Sequence, residues 1–198
     1  MEFRDITNDK KTLYPLKENE QVVFFMLNRS GDITFELTGP HATAHVFAFF
    51  VGKGQKECHL NISQQHLAPH TTSRVLVKSI LDDDSQFSYR GTLHIREDAT
   101  LSDASQENRN LLLSPRAKAS SEPALEILTS NVRCHHAATT SPLNAEQLFT
   151  LKTRGLSPKQ AEQLLINGFL QSSIDSLRTL ISSQEQEKVL ALMGRITD

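Results

Sequence analysis

A mainly β body followed by a small α-helical tail is the fold class this sequence predicts, and three observations predict it. Short apolar runs, several with period-2 alternation, fill the first two-thirds of the chain. No stretch of helical period separates them. After residue 142 the apolar spacing changes to that of helices.

The elements follow in order. Gln21–Leu27 is an apolar run bounded by polar residues, and Arg29-Ser30-Gly31-Asp32 reads as a turn. Ile33, Phe35 and Leu37 then alternate with Thr34, Glu36 and Thr38 until Gly39-Pro40 breaks the run. Residues 44–51 are apolar and rich in Phe, and Gly52-Lys53-Gly54 ends them. Cys58, Leu60 and Ile62 alternate with polar residues, and Val75 and Val77 alternate with Leu76 and Lys78. Phe87, Tyr89, Leu93 and Ile95 continue the pattern through Gly91, and Leu125-Glu126-Ile127-Leu128 reads as one more strand. The stretch 114–123, built from Ser, Pro, Ala, Lys and Glu, reads as a loop. A sandwich, a barrel and a β-solenoid all fit this much. The run Gln106-Glu107-Asn108-Arg109-Asn110 favours a solenoid, where amides stack coil on coil and satisfy one another.

In the tail, Ser141-Pro142 is a plausible helix start, with Leu143, Leu148 and Leu151 as its apolar stripe and Gly155 as its stop. Ser157-Pro158 starts a second helix, with Ala161, Leu164, Leu165 and Phe169 on one face and Gly168 near its end. A third is expected from about residue 174 to 180, and a fourth through Val189, Leu190 and Met193. The division is therefore 1–141 for the β body and 142–198 for the helical unit. That unit is too small to bury a large core alone, so it must pack on the β body or a partner.

The 198 residues are 38% hydrophobic with a formal net charge of -2, which points to a thin or elongated core and away from nucleic-acid or membrane surfaces. Asp82-Asp83-Asp84 reads as a solvated turn. Two distant cysteines, Cys58 and Cys134, make no disulfide framework. With a polar amino terminus and no secretory leader, a cytoplasmic or organellar-matrix protein with reduced thiols is expected.

Two clusters carry candidate chemistry. His66 and His70 have the spacing of a helical zinc pair, but Pro69 and the β context spoil it, so strand-edge hydrogen bonds are expected. Cys134-His135-His136 is different. On a strand Cys134 and His136 project to one face and His135 to the other. A thiolate beside an imidazole is half a site for a soft metal such as iron or zinc; a buried cysteine beside a hydrogen-bonded histidine is the alternative. Walker, dinucleotide, nucleophile-elbow and CxxC signatures are absent from the sequence.

From His66 to Phe169 the chain resembles the core of the SufB/SufD family, subunits of the Suf iron–sulfur cluster assembly complex. The resemblance rests on an ordered set: His70-Thr71-Thr72-Ser73, Lys78 with Leu81-Asp82 and Ser85, Tyr89-Arg90-Gly91, and Ala104 to Leu113-Ser114 by way of Gln106, Asn108 and Asn110. It continues with Pro123-Ala124-Leu125-Glu126-Ile127, Cys134-His135-His136-Ala137-Ala138-Thr139, Glu146-Gln147-Leu148-Phe149, Arg154-Gly155 and Gly168-Phe169. It favours the SufD side, whose members carry a Cys-x-His at the place of Cys134 and His136. SufB-type cysteine and glutamate positions are matched here by Ser114 and Ala137.

The resemblance implies a right-handed parallel β-helix (solenoid) followed by C-terminal helices, shortened at the amino end. It implies a non-enzymatic scaffold that pairs with a SufB-like or identical subunit through the β-helix and docks a SufC-like ATPase through the helices. Leu148, Phe149, Arg154, Leu164, Leu165 and Phe169 are the expected docking residues. Cys134 and His136 would lend ligands to a transient iron–sulfur cluster or iron, with no ATP bound by this chain. The alternative is a purely structural or ATPase-regulating interaction protein without cluster ligands.

Overall fold

The computed structural model describes residues 1–197, with side chains described through Gly194. Among the described residues eleven strands precede three helices. The strands wind alternately between two wholly parallel sheets, the architecture of a β-solenoid. One sheet holds β1 (Glu2–Asp5), β3 (Gln21–Leu27), β5 (Thr43–Gly52), β7 (Thr72–Leu81), β9 (Asp103–Leu112) and β11 (Arg133–Pro142), in that spatial order. The other holds β2 (Leu13–Leu16), β4 (Gly31–Leu37), β6 (Glu57–His66), β8 (Gln86–Ile95) and β10 (Lys118–Ile127). Register runs without slip from coil to coil: Thr43 pairs with Thr72, Thr72 with Asp103 and Asp103 with Arg133.

Patterning follows from what covers each sheet. The second sheet keeps one face in water, so its strands alternate. Ile33, Phe35, Leu37, Leu60, Ile62, Phe87 and Tyr89 are buried in the lumen, while Asp32, Asn61 and Arg90 line up outside. The first sheet is covered outside by α2 (Pro158–Arg178) and α3 (Ser183–Thr197). Val22, Phe24 and Met26 enter the lumen, whereas Val23 and Phe25 join Phe47 and Phe49 against Ile166, Leu170, Ile174 and Leu177. Burial on both faces is why Gln21–Leu27 is a continuous apolar run.

Coil corners need left-handed backbone. Asn19, His41, His70 and Leu101 each have φ between 57° and 61°, and the His41 and His70 rings stack at 5.0 Å between adjacent coils. The lumen changes character along the axis. Tyr14, Phe24 and Phe35 pack as aromatics near the amino end, with Phe24 and Phe35 ring centroids 4.7 Å apart. Further along, Gln64, His66, Ser73, Ser79, Gln106, Asn108 and Asn110 are buried. The expected amide stack is present: Asn110 accepts from the Ser79 hydroxyl of β7 at 2.7 Å and donates to Thr140 of β11 at 3.0 Å.

The tail differs from expectation in three places. The first helix, α1 (Ala145–Thr153), is capped by Asn144 rather than by Ser141, because the Asn144 carboxamide accepts from the Gln147 N–H. Gly155, at φ +91°, ends it as expected. Ser157 with Gln160 forms the capping box of α2, and Pro158 stands at its first turn. Gly168 does not end this helix: α2 runs through to Arg178, since Ile166, Leu170, Ile174 and Leu177 form one unbroken buried stripe on the sheet. Among the described residues there are therefore three helices, not four. The expected loop at 114–123 is half strand, because β10 begins at Lys118 and pairs residue for residue with β8.

Candidate functional site at the open end of the solenoid

The site lies where the solenoid stops. β11 pairs only with β9 and β10 only with β8, so each leaves one edge without a strand partner among the described residues. Such an edge presents a row of free N–H and C=O groups. The lumen face of the last coil is open as well. Leu125 and Ile127 are register partners of the fully buried Leu93 and Ile95, yet are themselves 42% and 37% exposed.

Cys134 and His136 stand on that same face. Their partners on β9 are Ala104 and Gln106, both buried in the lumen, and alternation sends His135 to the outside. Cys134 is partly buried against Leu93, Ile95 and Ala104, while His136 is exposed at the mouth. Burial first, and the nearby Asp103 carboxylate second, push the Cys134 thiol above its ordinary pKa. An unliganded thiol here is therefore mostly protonated near neutrality, and a cation would have to displace that proton. Among the described residues, no group of three or more His, Cys, Asp or Glu side chains is placed to hold a metal ion. The chain thus brings together two soft-metal donors at an unfilled edge. The last coil is held in place from beneath by Asn110, which donates to both Ser121 of β10 and Thr140 of β11.

The other histidine cluster is structural. His66 turns into the lumen rather than lying at a strand edge, and is fully buried between Thr71 and Ser73. Burial lowers its pKa to about 4, so it is neutral. Cys58 is also buried, its pKa raised to about 11, and plays no part at the mouth.

The helical residues separate into two kinds. Phe149 is 68% and Leu164 50% exposed, Arg154 is exposed, and Leu148 and Leu165 are half-buried. Phe169 instead belongs to the junction of helix and sheet. Its ring lies 4.6 Å from the Lys78 ammonium, which donates to the Phe169 carbonyl and, at 3.2 Å, to the Ser172 hydroxyl. Burial beneath α2 depresses the Lys78 pKa to about 8. This buried lysine, on an outward strand position, was not found as an anchor from sequence; its signals were a lone Lys within an apolar run and its place in the resemblance.

Comparison with known proteins adds the family. The profile of the SUF system FeS cluster assembly SufBD core domain matches residues 23–169, most of the chain and all of the site. The chain belongs to the SufB/SufD family. Among curated relatives, an iron-sulfur cluster assembly SufBD family protein of Synechocystis is 36% identical over 126 residues, covering 64% of this chain and 27% of that protein. The iron-sulfur cluster assembly protein SufD of Escherichia coli K12 is 28% identical over 160 residues, covering 81% of this chain and 37% of the relative. SufB of Bacillus subtilis is 32% identical over 120 residues, covering 61% and 26%. The chain thus spans about a quarter to a third of the length of these SufB/SufD relatives. No helix among its described residues is long and apolar enough to cross a membrane.

Proposed function

We propose that this chain is a non-enzymatic scaffold for iron–sulfur cluster assembly, in which Cys134 and His136 lend two ligands to a nascent cluster carried as cargo. One observation carries the reading: a thiol and an imidazole share the lumen face of the terminal strand, beside an edge left unpaired. Two donors leave a tetrahedral centre half filled, so a second subunit supplies the rest. That subunit, SufB-like or a second copy, adds strands to the free edges of β10 and β11 and covers Leu125 and Ile127. A SufC-like ATPase docks on the exposed helical face that includes Phe149, Arg154 and Leu164. Membership of a cluster-assembly family supports this role over other uses of a Cys-x-His pair.

The test is anaerobic reconstitution of the co-expressed complex with iron and sulfide. The Cys134→Ala/His136→Ala variant should lose most of the cluster absorbance while the subunits still co-purify. Undiminished cluster in that variant would leave Cys134 a packing residue and the chain a purely structural or ATPase-regulating partner.

A further inference from the structure

Helix α2 joins two bodies that rest on the solenoid very differently. Its carboxyl half is bolted to the sheet, with Leu170, Ser173, Ile174 and Leu177 all buried. Its amino half pairs with α1 in a lightly packed hairpin. Between residues 145 and 167 only Ala161 and Ile166 are buried, and only Ile166 belongs to the core shared with the sheet. A cleft of about 330 Å³ lies between this hairpin and the end of the solenoid, with Leu111, Pro142 and Leu143 on one side and Leu164, Leu165 and Gly168 on the other.

Three features meet where the two halves of α2 join. Gly168 sits in mid-helix, where glycine weakens the helix. It is exposed, and a Cβ there would meet nothing within 4 Å, so no packing requires it. The next residue, Phe169, is where Lys78 of β7 reaches the helix. The Lys78 side chain, 2% exposed, donates to the Phe169 carbonyl and, at 3.2 Å, to Ser172 Oγ, with the Phe169 ring 4.6 Å away. Helices bend where a side chain enters their ladder beside a glycine. The third feature is Ser173, whose hydroxyl is buried without a hydrogen-bond partner among the described residues.

The Phe169 carbonyl links Lys78 to Ser173. Its oxygen has two lone pairs; the helix assigns one to the Ser173 N–H, four residues on, and Lys78 takes the other. A serine hydroxyl within a helix commonly bonds the carbonyl four residues back, as Ser176 does to Ser172 at 2.9 Å. For Ser173 that acceptor is the Phe169 carbonyl, which is already full. Lys78 and the Ser173 hydroxyl therefore compete for one oxygen. When the ammonium withdraws, Ser173 takes its place, and back-bonding of this kind bends a helix.

We infer that Gly168–Phe169 is a hinge latched by Lys78, on which the α1 hairpin swings away from the solenoid into a bent second state that Ser173 stabilises. The swing breaks the Lys78 contacts and uncovers Ile166, so the latched state dominates in the free chain. The hairpin carries Phe149, Arg154 and Leu164, so a partner that grips it and favours the bent state draws the latch open. The hinge is a property of the chain alone and stands whether or not an ATPase docks on that surface.

The test is methyl relaxation dispersion on the full chain, labelled at isoleucine and leucine methyl groups. Ile166 should show microsecond-to-millisecond exchange shared with Leu164 and Leu165, while Ile174 and Leu177 stay quiet. Lys78→Met should raise the minor population about tenfold. Gly168→Ala, which has room for its methyl, should lower it about fivefold. Ser173→Ala should lower it about fivefold while Lys78 is present, and leave it unchanged in the Lys78→Met background, where the competition is over. An equal effect of Ser173→Ala in both backgrounds overturns the shared-carbonyl latch. A quiet Ile166 in the wild type overturns the hinge, as does exchange there that Gly168→Ala fails to reduce. Those two spectra decide the matter even where a Lys78 variant fails to fold.

Discussion

The buried His66 makes acid stability a sharp test of the lumen. Consider His66→Phe, which keeps a ring and removes both nitrogens. Near neutral pH the variant loses two buried hydrogen bonds, each worth about 1 kcal/mol, so it is less stable by about 2 kcal/mol. Acid acts on the wild type alone. Its histidine titrates at about 4 when folded and near the ordinary 6.5 when unfolded. Between those values the unfolded chain binds the extra proton, so the stability that neutral His66 contributes is whole above about pH 6.5 and drains away as pH falls toward 4. At about pH 5 the loss reaches about 2 kcal/mol, which matches the cost of the substitution. Urea unfolding curves of the two proteins, taken at intervals from about pH 7 down to 4.5, should therefore converge and cross near pH 5. The rest of the chain is common to both proteins and cancels in the difference. Parallel lines over that range would refute the buried, neutral, doubly bonded assignment.

Four further outcomes are expected. Gly91→Ala places a methyl against the Gln106 amide and should destabilise the fold by about 1–3 kcal/mol, read by thermal or urea unfolding. Phe149→Asp changes an exposed ring and should alter stability by no more than about 0.5 kcal/mol while abolishing capture of the partner ATPase in a pull-down, whereas Phe169→Ala should cost about 2 kcal/mol because its ring packs between sheet and helix. Leu125→Lys puts a charge into the open lumen face and should dissociate the paired subunits in sedimentation velocity, with the circular-dichroism spectrum of the single chain unchanged.

Much of the β body was legible because one of its sheets faces water. Ile33, Phe35 and Leu37 announce their strand by alternation, and the resemblance then chose a solenoid among all-β folds. β10 was half missed for a physical reason. Ala119, Ser121 and Pro123 occupy lumen positions in an unfinished coil, where small and polar side chains suffice and no hydrophobic alternation is needed. Gly168 misled because helix propensity is a weak prior; the stripe from Ile166 to Leu177 outweighs the roughly 1 kcal/mol that a glycine costs. At the site, strand alternation correctly placed Cys134 and His136 on one side. That this side is the lumen, and that the lumen ends there in the open, was set by strand order, which no local pattern encodes.

The passage from phenyl rings to carboxamides along the lumen makes the molecule unequal end to end. Each coil leans only on its neighbours, so cohesion is greatest among the aromatics and least where the winding stops. Amide protons around Phe24 and Phe35 should exchange with deuterium orders of magnitude more slowly than those near Thr139. A rung that frays alone and firms up when another strand is laid against it would link the order of the thiol–imidazole pair to the arrival of a companion.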